Sequence, residues 1–274
     1  MRINQLYSNF GIGFSSAIKK KYQFEDYTDS REPVFMFGCY GEKQIHMALS
    51  ISKFSPLVVI CWGGSDAKIL KDLELSSVPG RNFWSGALRG TPNIKHIAIS
   101  HWIEEDMQIL KLPYYSIPIT PHDNSDIKPE PLGDSIYMYR PEVETYNGGI
   151  YQKIKEALPQ YNFIETNSHT YSREQVLEMY KKSFIGLRFT EHDGLSNTVC
   201  EMGLMGRRMI HNGDTPNCIP YEKNNINDII ESIKHEYWHA KNPMGDNLEA
   251  NGVSVFMQKY LNINEDFLNS SYYD

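Results

Sequence analysis

The stretch FIGLRFTEHDGLSNTVCEMGLMGRRMIHNG, Phe184 to Gly213, decides how the chain is read. Phe184 to Phe189 is a short apolar run with branched and aromatic residues, which predicts a strand. Thr190 to Asn197 is polar and turn-like, Thr198 to Met205 reads as a helix, and Gly206 stops it. Arg207 to His211 then reads as the next strand, so the segment is a βαβ unit. Its first strand delivers Asp193, Gly194, Leu195, Ser196 and Asn197 to the carboxyl edge of a parallel sheet, where open α/β sheets bind ligands.

Two carboxylates mark this unit: Asp193 ahead of the helix and Glu201 inside it, with seven residues between them. Free N–H groups at a helix start attract phosphate, and carboxylates accept hydrogen bonds from sugar hydroxyls. A purely local role is also open, in which Thr198 caps the helix and Glu201, three residues on, closes a capping box.

At 274 residues the chain is long enough for one large domain or two smaller ones, and two are expected. Its 41% hydrophobic and 22% charged content are ordinary for a globular protein and indicate neither a disordered nor a fibrous class. A net charge of −7 argues against a protein whose main task is to grip nucleic acid phosphates, although it leaves a local basic groove open. Cys39, Cys61, Cys200 and Cys218 are widely spaced, which predicts reduced thiols, no disulfide and no structural zinc. Met1 to Gly13 has no apolar core of a signal peptide, and no stretch approaches the roughly 18 apolar residues of a membrane span. A cytoplasmic protein is expected.

The first half repeats strand and helix. Arg2 to Tyr7 predicts a strand, followed by a loop with Gly11 and Gly13 and a helix from Phe14 to Gln23 whose Lys19, Lys20 and Lys21 leave contact with an anionic membrane surface open. Pro33 to Tyr40 and Pro56 to Trp62 are near-continuous apolar runs, the pattern of strands buried on both faces. Between them Lys43 to Ser52 has helical spacing. In the loop Trp62-Gly63-Gly64-Ser65-Asp66, either Ser65 or Asp66 can cap a helix over Ala67 to Leu73. Asn93 to Ser100, a helix from His101 and a short strand at Tyr114 to Ile119 complete about five strands. Proline, Asp and Asn crowd Pro121 to Leu132, which reads as a linker. Beyond it, strands are expected at Ser135 to Arg140 and Tyr161 to Glu165, with helices at Gly149 to Leu158 and after Ser172, where Ser172 and Gln175 form a capping box.

The acidic segment resembles the Glu-x7-Glu signature of retaining glycosyltransferases with the GT-B fold, with Asp193 in place of the first Glu, Gly194 matching the family's glycine and Glu201 as the second Glu. The loop at Trp62 to Asp66 resembles a Trp-His-Gly-Ser-Asp loop of several such enzymes, with Gly63 where a histidine often stands. The resemblance implies an α/β protein of two Rossmann-like domains facing one cleft: residues 1–125 on the acceptor side and 126–274 on the donor side, with the final helix, Val253 to Leu261, packing back on the first. It implies transfer of a sugar from a nucleoside diphosphate donor to a glycan, lipid or other acceptor, with retention of configuration and without a metal or other cofactor. Glu201 would bind the ribose hydroxyls. Asp193, with Gly194, Leu195, Ser196 and Asn197, would hold the transferred sugar. Arg140 resembles the arginine that grips the donor diphosphate, a role suited to a bidentate guanidinium, and Gly11 and Gly13 would lie beside the same group. Arg188 is either a second cation there or the ion-pair partner of Glu191 or Asp193. His101, at the end of a first-domain strand, is either a catalytic group or a structural one.

His235-Glu236-Tyr237-Trp238-His239 spells HExxH, the zinc helix of many metalloproteases. Yet Ile226, Ile229, Ile230, Ile233 and Tyr237 form the apolar stripe of that helix, and at about 100° per residue the two histidines fall on the opposite side. Three alternatives to a transferase of glycans or lipids therefore stay open: a zinc metalloprotease, a non-catalytic module binding nucleotide-sugar or glycan, and a glycosyltransferase acting on modified bases of DNA.

Overall fold

A computed structural model describes residues 1–8, 12–28, 31–76, 83–139, 148–166, 171–242, 248–263 and 265–274. Gly11 and Arg140 lie outside the described residues. The chain divides into two compact units, one of residues 1–123, 192–195 and 263–274 and the other of 124–191 and 196–262.

In unit 1 the strands are β1 (Gln5–Tyr7), β2 (Glu25–Asp26), β3 (Val34–Phe37), β4 (Val58–Trp62), β5 (Ile94–Ala98) and β6 (Tyr115–Ser116). They form one parallel sheet in the order β2-β1-β3-β4-β5-β6. Its helices are α1 (Ile12–Tyr22), α2 (Glu42–Ile51), α3 (Ser65–Ser76), α4 (Phe83–Arg89) and α5 (His101–Ile109). Every residue of β3 and β4 is buried, as continuous apolar runs require of strands covered on both faces. β2 escapes the sequence pattern because it is two exposed acidic residues at the sheet edge, with no apolar alternation to betray it. Trp62 donates its indole N–H to Nδ1 of the buried His96 at 3.1 Å. Burial pushes the His96 pKa down to about 3.

Unit 2 carries β7 (Ser135–Tyr139), β8 (Asn162–Thr166), β9 (Ser183–Leu187), β10 (Arg208–Ile210) and β11 (Cys218–Ile219) in the parallel order β11-β10-β9-β7-β8. Its helices are α6 (Gly148–Ala157), α7 (Arg173–Lys181), α8 (Asn197–Leu204), α9 (Ile226–Lys241) and α10 (Leu248–Leu261). Ile136, Ile154, Phe184, Leu187, Ile229 and Ile233 are at the centre of its core, each removed from water for about 1.5–3 kcal/mol. Gly206 ends α8 at φ +88°, a left-handed conformation that a β-carbon disfavours. Arg207 follows, fully buried, and its guanidinium donates to the carbonyls of Ser183 (3.3 Å), Glu130 (2.8 Å), Pro131 (2.6 Å), Lys181 (3.1 Å) and Met205. One side chain thus closes the open carbonyls of the segments that enter β7 and β9.

The expected final helix lies within α10. It packs on α8 in unit 2, where Gly203 leaves room for Met257 and Asn217, and Ser254 donates to the Leu204 carbonyl at 2.7 Å. The residues that return to unit 1 are instead the 3-10 turns Glu265–Leu268 and Ser270–Tyr273, tied by Ile3 N–H to the Leu268 carbonyl at 2.6 Å.

Candidate functional site

In unit 2, β7 connects to β8 on one side, and the chain then crosses to β9 on the other, so the order reverses between β7 and β9. Their carboxyl ends are where this topology places a ligand crevice. Tyr139 ends β7, Arg188 follows β9, and the guanidinium of Arg188 lies over the Tyr139 ring at 4.3 Å. The Tyr151 hydroxyl donates to the Tyr139 carbonyl (2.7 Å) and accepts from the Phe189 amide (3.2 Å), bridging the two strand ends. The ring of His211 donates from Nδ1 to the Arg188 carbonyl at 3.0 Å. Glu191, an expected partner for Arg188, pairs with Lys223 at 2.5 Å.

α8 opens from this edge. Its cap is Ser196, which accepts from the Val199 amide at 3.4 Å, so the alternative capping box of Thr198 and Glu201 does not form. Asn197 Oδ1 is buried and has no hydrogen-bond partner among the described residues. Glu201 is one turn further in, its side chain only 5% exposed. Arg173, the first residue of α7, donates from Nε to Glu201 Oε1 at 3.0 Å, and among the described residues Oε2 accepts no hydrogen bond. Burial raises the Glu201 carboxyl above its usual range, and Arg173 opposes that shift. The predicted Ser172–Gln175 capping box is present and fixes where Arg173 starts its helix.

The acidic turn 192–195 belongs to unit 1. The Asp193 carboxylate accepts from the Gly194 amide at 3.0 Å, and Ser100 donates to the Asp193 carbonyl at 3.2 Å. Gly194 sits directly against the loop after β4, and a β-carbon there would run into the Gly63 carbonyl oxygen. That loop is held by Asp66, which is not a simple cap. It lies inside α3, and its buried carboxylate accepts from the amides of Gly63 (3.1 Å), Gly64 (2.9 Å) and Cys39 (3.0 Å). Beside it, His192 Nε2 lies 2.8 Å from the buried Asp106, which also pairs with Lys71. Although Asp106 is desolvated, which alone would raise it, the hydrogen bonds and electrostatic attraction from His192 and Lys71 hold its carboxyl below the usual range. Leu195 is buried. His101 opens α5, its ring 4.1 Å from that of Trp102, and Gly13 lies in the first turn of α1.

The HExxH helix is α9, and its glutamate lies on a different side from its two histidines. His235 and His239 stand on the exposed side with their Nε2 atoms 3.1 Å apart, whereas Glu236 is buried between Arg208 at 3.9 Å and the Nδ1 of His235 at 3.4 Å, on the far side of that ring from its Nε2. The water-activating carboxylate of a zinc helix has to share the open site with its histidines. Among the described residues no group of three His, Cys, Asp or Glu side chains is placed to hold a metal ion, and no helix is long and apolar enough to cross a membrane.

Sequence reading missed Arg173, Tyr151, His192 and Asp106. Each acts across a large sequence separation, such as the 28 residues between Arg173 and Glu201, and no local motif marks such a pair.

Two parallel-sheet units of this topology give the chain the GT-B type of α/β fold, that of a class of glycosyltransferases. No family model and no curated protein matches the sequence. Among solved structures it is similar to TarM, with a TM-score of 0.56 at 10% identity over 88% of this chain and 53% of that one. It is also similar to the pneumococcal O-GlcNAc transferase GtfA in complex with UDP and GlcNAc (0.52, 9%, 89% and 56%). A third match is an alpha-glucosyltransferase in complex with UDP and a 13-mer DNA containing an A:G mismatch (0.51, 10%, 100% and 98%). The chain spans about half the length of TarM and GtfA. At these identities the likeness shows the fold.

Proposed function

We propose that the protein is a glycosyltransferase that moves a sugar from a nucleoside diphosphate donor to an acceptor with retention of configuration and without a metal. The observation that carries this reading is Glu201: a carboxylate buried in the first turns of α8, with Oε2 left to accept, beside the strand ends where the order of the sheet reverses. A buried carboxylate with an open oxygen is suited to a pair of ribose hydroxyls. The N-terminus of α8 and Arg188 would supply the positive end for a diphosphate, and Arg140 would add to it as the sequence resemblance implies. Asp193 would orient the transferred sugar and stabilise positive charge developing on its ring, and the donor's own phosphate would assist the leaving group. Gly194, Leu195, Ser196 and Asn197 set the backbone of that turn, and Asn197 adds an acceptor that has no protein partner among the described residues. The nucleotides in the neighbouring structures, UDP in two of those above, support the donor class.

A second reading concerns the acceptor. The match to the alpha-glucosyltransferase in complex with DNA covers both chains almost end to end, and it supports a modified base in DNA as an alternative acceptor to a glycan or lipid. Duplex binding that falls steeply with salt would support it, and salt-insensitive or absent duplex binding would remove it.

A thermal-shift panel of nucleoside diphosphates and their sugars tests the donor class, because a ligand that binds the folded state raises apparent stability. The expected result is a rise with one nucleotide and its sugars. No rise across the whole panel contradicts the proposal.

A further inference from the structure

We propose that Arg173 is the positioning residue of the donor site, holding the Glu201 carboxylate charged and turned so that Oε2 is left for the ribose. This inference rests on the reading of Glu201 as the ribose ligand. Its own support is the way the guanidinium is divided. Nε donates to Glu201 Oε1 at 3.0 Å, Nη2 donates to Asn124 Oδ1 at 3.1 Å, and Nη1 lies 3.6 Å from Asp126 Oδ2. Three acceptors on three nitrogens fix the plane of the fork, and the plane fixes which carboxylate oxygen is taken. A lysine ammonium could supply charge there but no plane.

The arrangement answers a specific difficulty. A ribose hydroxyl bonds more strongly to a carboxylate than to a carboxylic acid, yet a carboxyl buried this deeply tends to keep its proton. Among the described residues, the titratable groups that face Glu201 are Arg173 and Tyr180 from α7 and Asp126 from the segment before β7. Tyr180 is itself pushed well above its ordinary range by burial and stays neutral, and Asp126 favours the protonated form of Glu201. Arg173 is the cation among them. Asn124 and Asp126 hold it in place, so the carboxylate is oriented before any nucleotide arrives.

The test is calorimetric titration with UDP and with ADP from about pH 5.5 to pH 8, on the wild type, Arg173→Gln, Arg173→Lys and Glu201→Gln, each checked for folding by circular dichroism. Glu201→Gln in the same buffers gives the baseline for titration of the nucleotide's own phosphate. Relative to that baseline, wild-type affinity should be nearly flat. Arg173→Gln should bind about tenfold more weakly near neutrality and lose further affinity as pH falls, because Glu201 now protonates within the range. Arg173→Lys should keep the flat profile and bind several-fold more weakly, since it retains the charge and loses the fork. Wild-type affinity and profile in Arg173→Gln, or wild-type affinity in Arg173→Lys, would overturn the inference while leaving the donor site standing. Failure of the wild type itself to bind either nucleotide would remove the reading of Glu201 and the inference with it.

Discussion

Glu201 and Asp193 show what a residue reveals locally and what it does not. Their spacing is written in the sequence. Their surroundings are not: Ser196 caps α8 rather than Thr198, the cap of the alternative local reading, and Arg173 comes from another helix. His96 is a sharper case, since nothing in Asn93 to Ser100 marks its histidine as fully buried against Trp62. Its folded pKa is depressed to about 3, below the roughly 6.5 of an unfolded chain. Stability from the neutral ring is therefore present above about pH 6.5 and lost as pH falls toward the folded value, with a slope approaching about 1.4 kcal/mol per pH unit. Urea unfolding across that window should show a steeper decline for the wild type than for His96→Gln. Equal slopes would mean that this histidine does not drive the acid limb.

At the scale of elements, the long apolar strands were legible because burial on both faces leaves no room for polar residues, as in β3, β4 and β9. The two-residue strands β2 and β11 were not, since two residues carry no period. Helix α9 followed its isoleucine stripe, which also turned the two histidines of HExxH outward; the one surprise was Glu236 on the buried side. Arg207 read simply as the start of a strand, yet it ties together the carbonyls entering β7 and β9. Replacing it by methionine fills the volume but takes the donor from the carbonyls of Glu130, Pro131 and Lys181, so a loss of about 3 kcal/mol is expected in chemical denaturation. Arg207→Lys, which keeps charge without the fork, should recover only part of it. A loss under about 0.5 kcal/mol in Arg207→Met, the size of an ordinary surface substitution, would show that the carbonyls find other partners.

For the whole molecule, alternation of strand and helix was enough to give two parallel α/β units, because a parallel pair requires a crossover and a helix is the usual one. The sequence could not indicate that residues 192–195 count with unit 1 while the strand and helix around them count with unit 2, since that assignment depends on packing at Gly63 and Ser100. At this scale the proposed chemistry makes a general prediction. If a helix N-terminus and arginines neutralise the leaving diphosphate, transferase activity should survive excess EDTA. Complete loss restored by added divalent cation would assign that role to a metal.

The central claim is that the acidic segment is a donor site with divided labour, and release of nucleoside diphosphate from the donor sugar identified by thermal shift tests it most directly. Contacts to ribose, remote from the breaking bond, are similar in ground and transition states, so Glu201→Gln should raise KM with a smaller effect on kcat. In the proposed site Asp193 would face the charge that develops at the sugar, so Asp193→Asn should lower kcat substantially with little change in affinity for the nucleotide product. The measurement is steady-state kinetics beside calorimetry of the product, on variants confirmed as folded. The account predicts that split. Wild-type turnover with unchanged donor affinity in both variants would contradict it, and would leave the acidic segment as nothing more than the turn that starts α8.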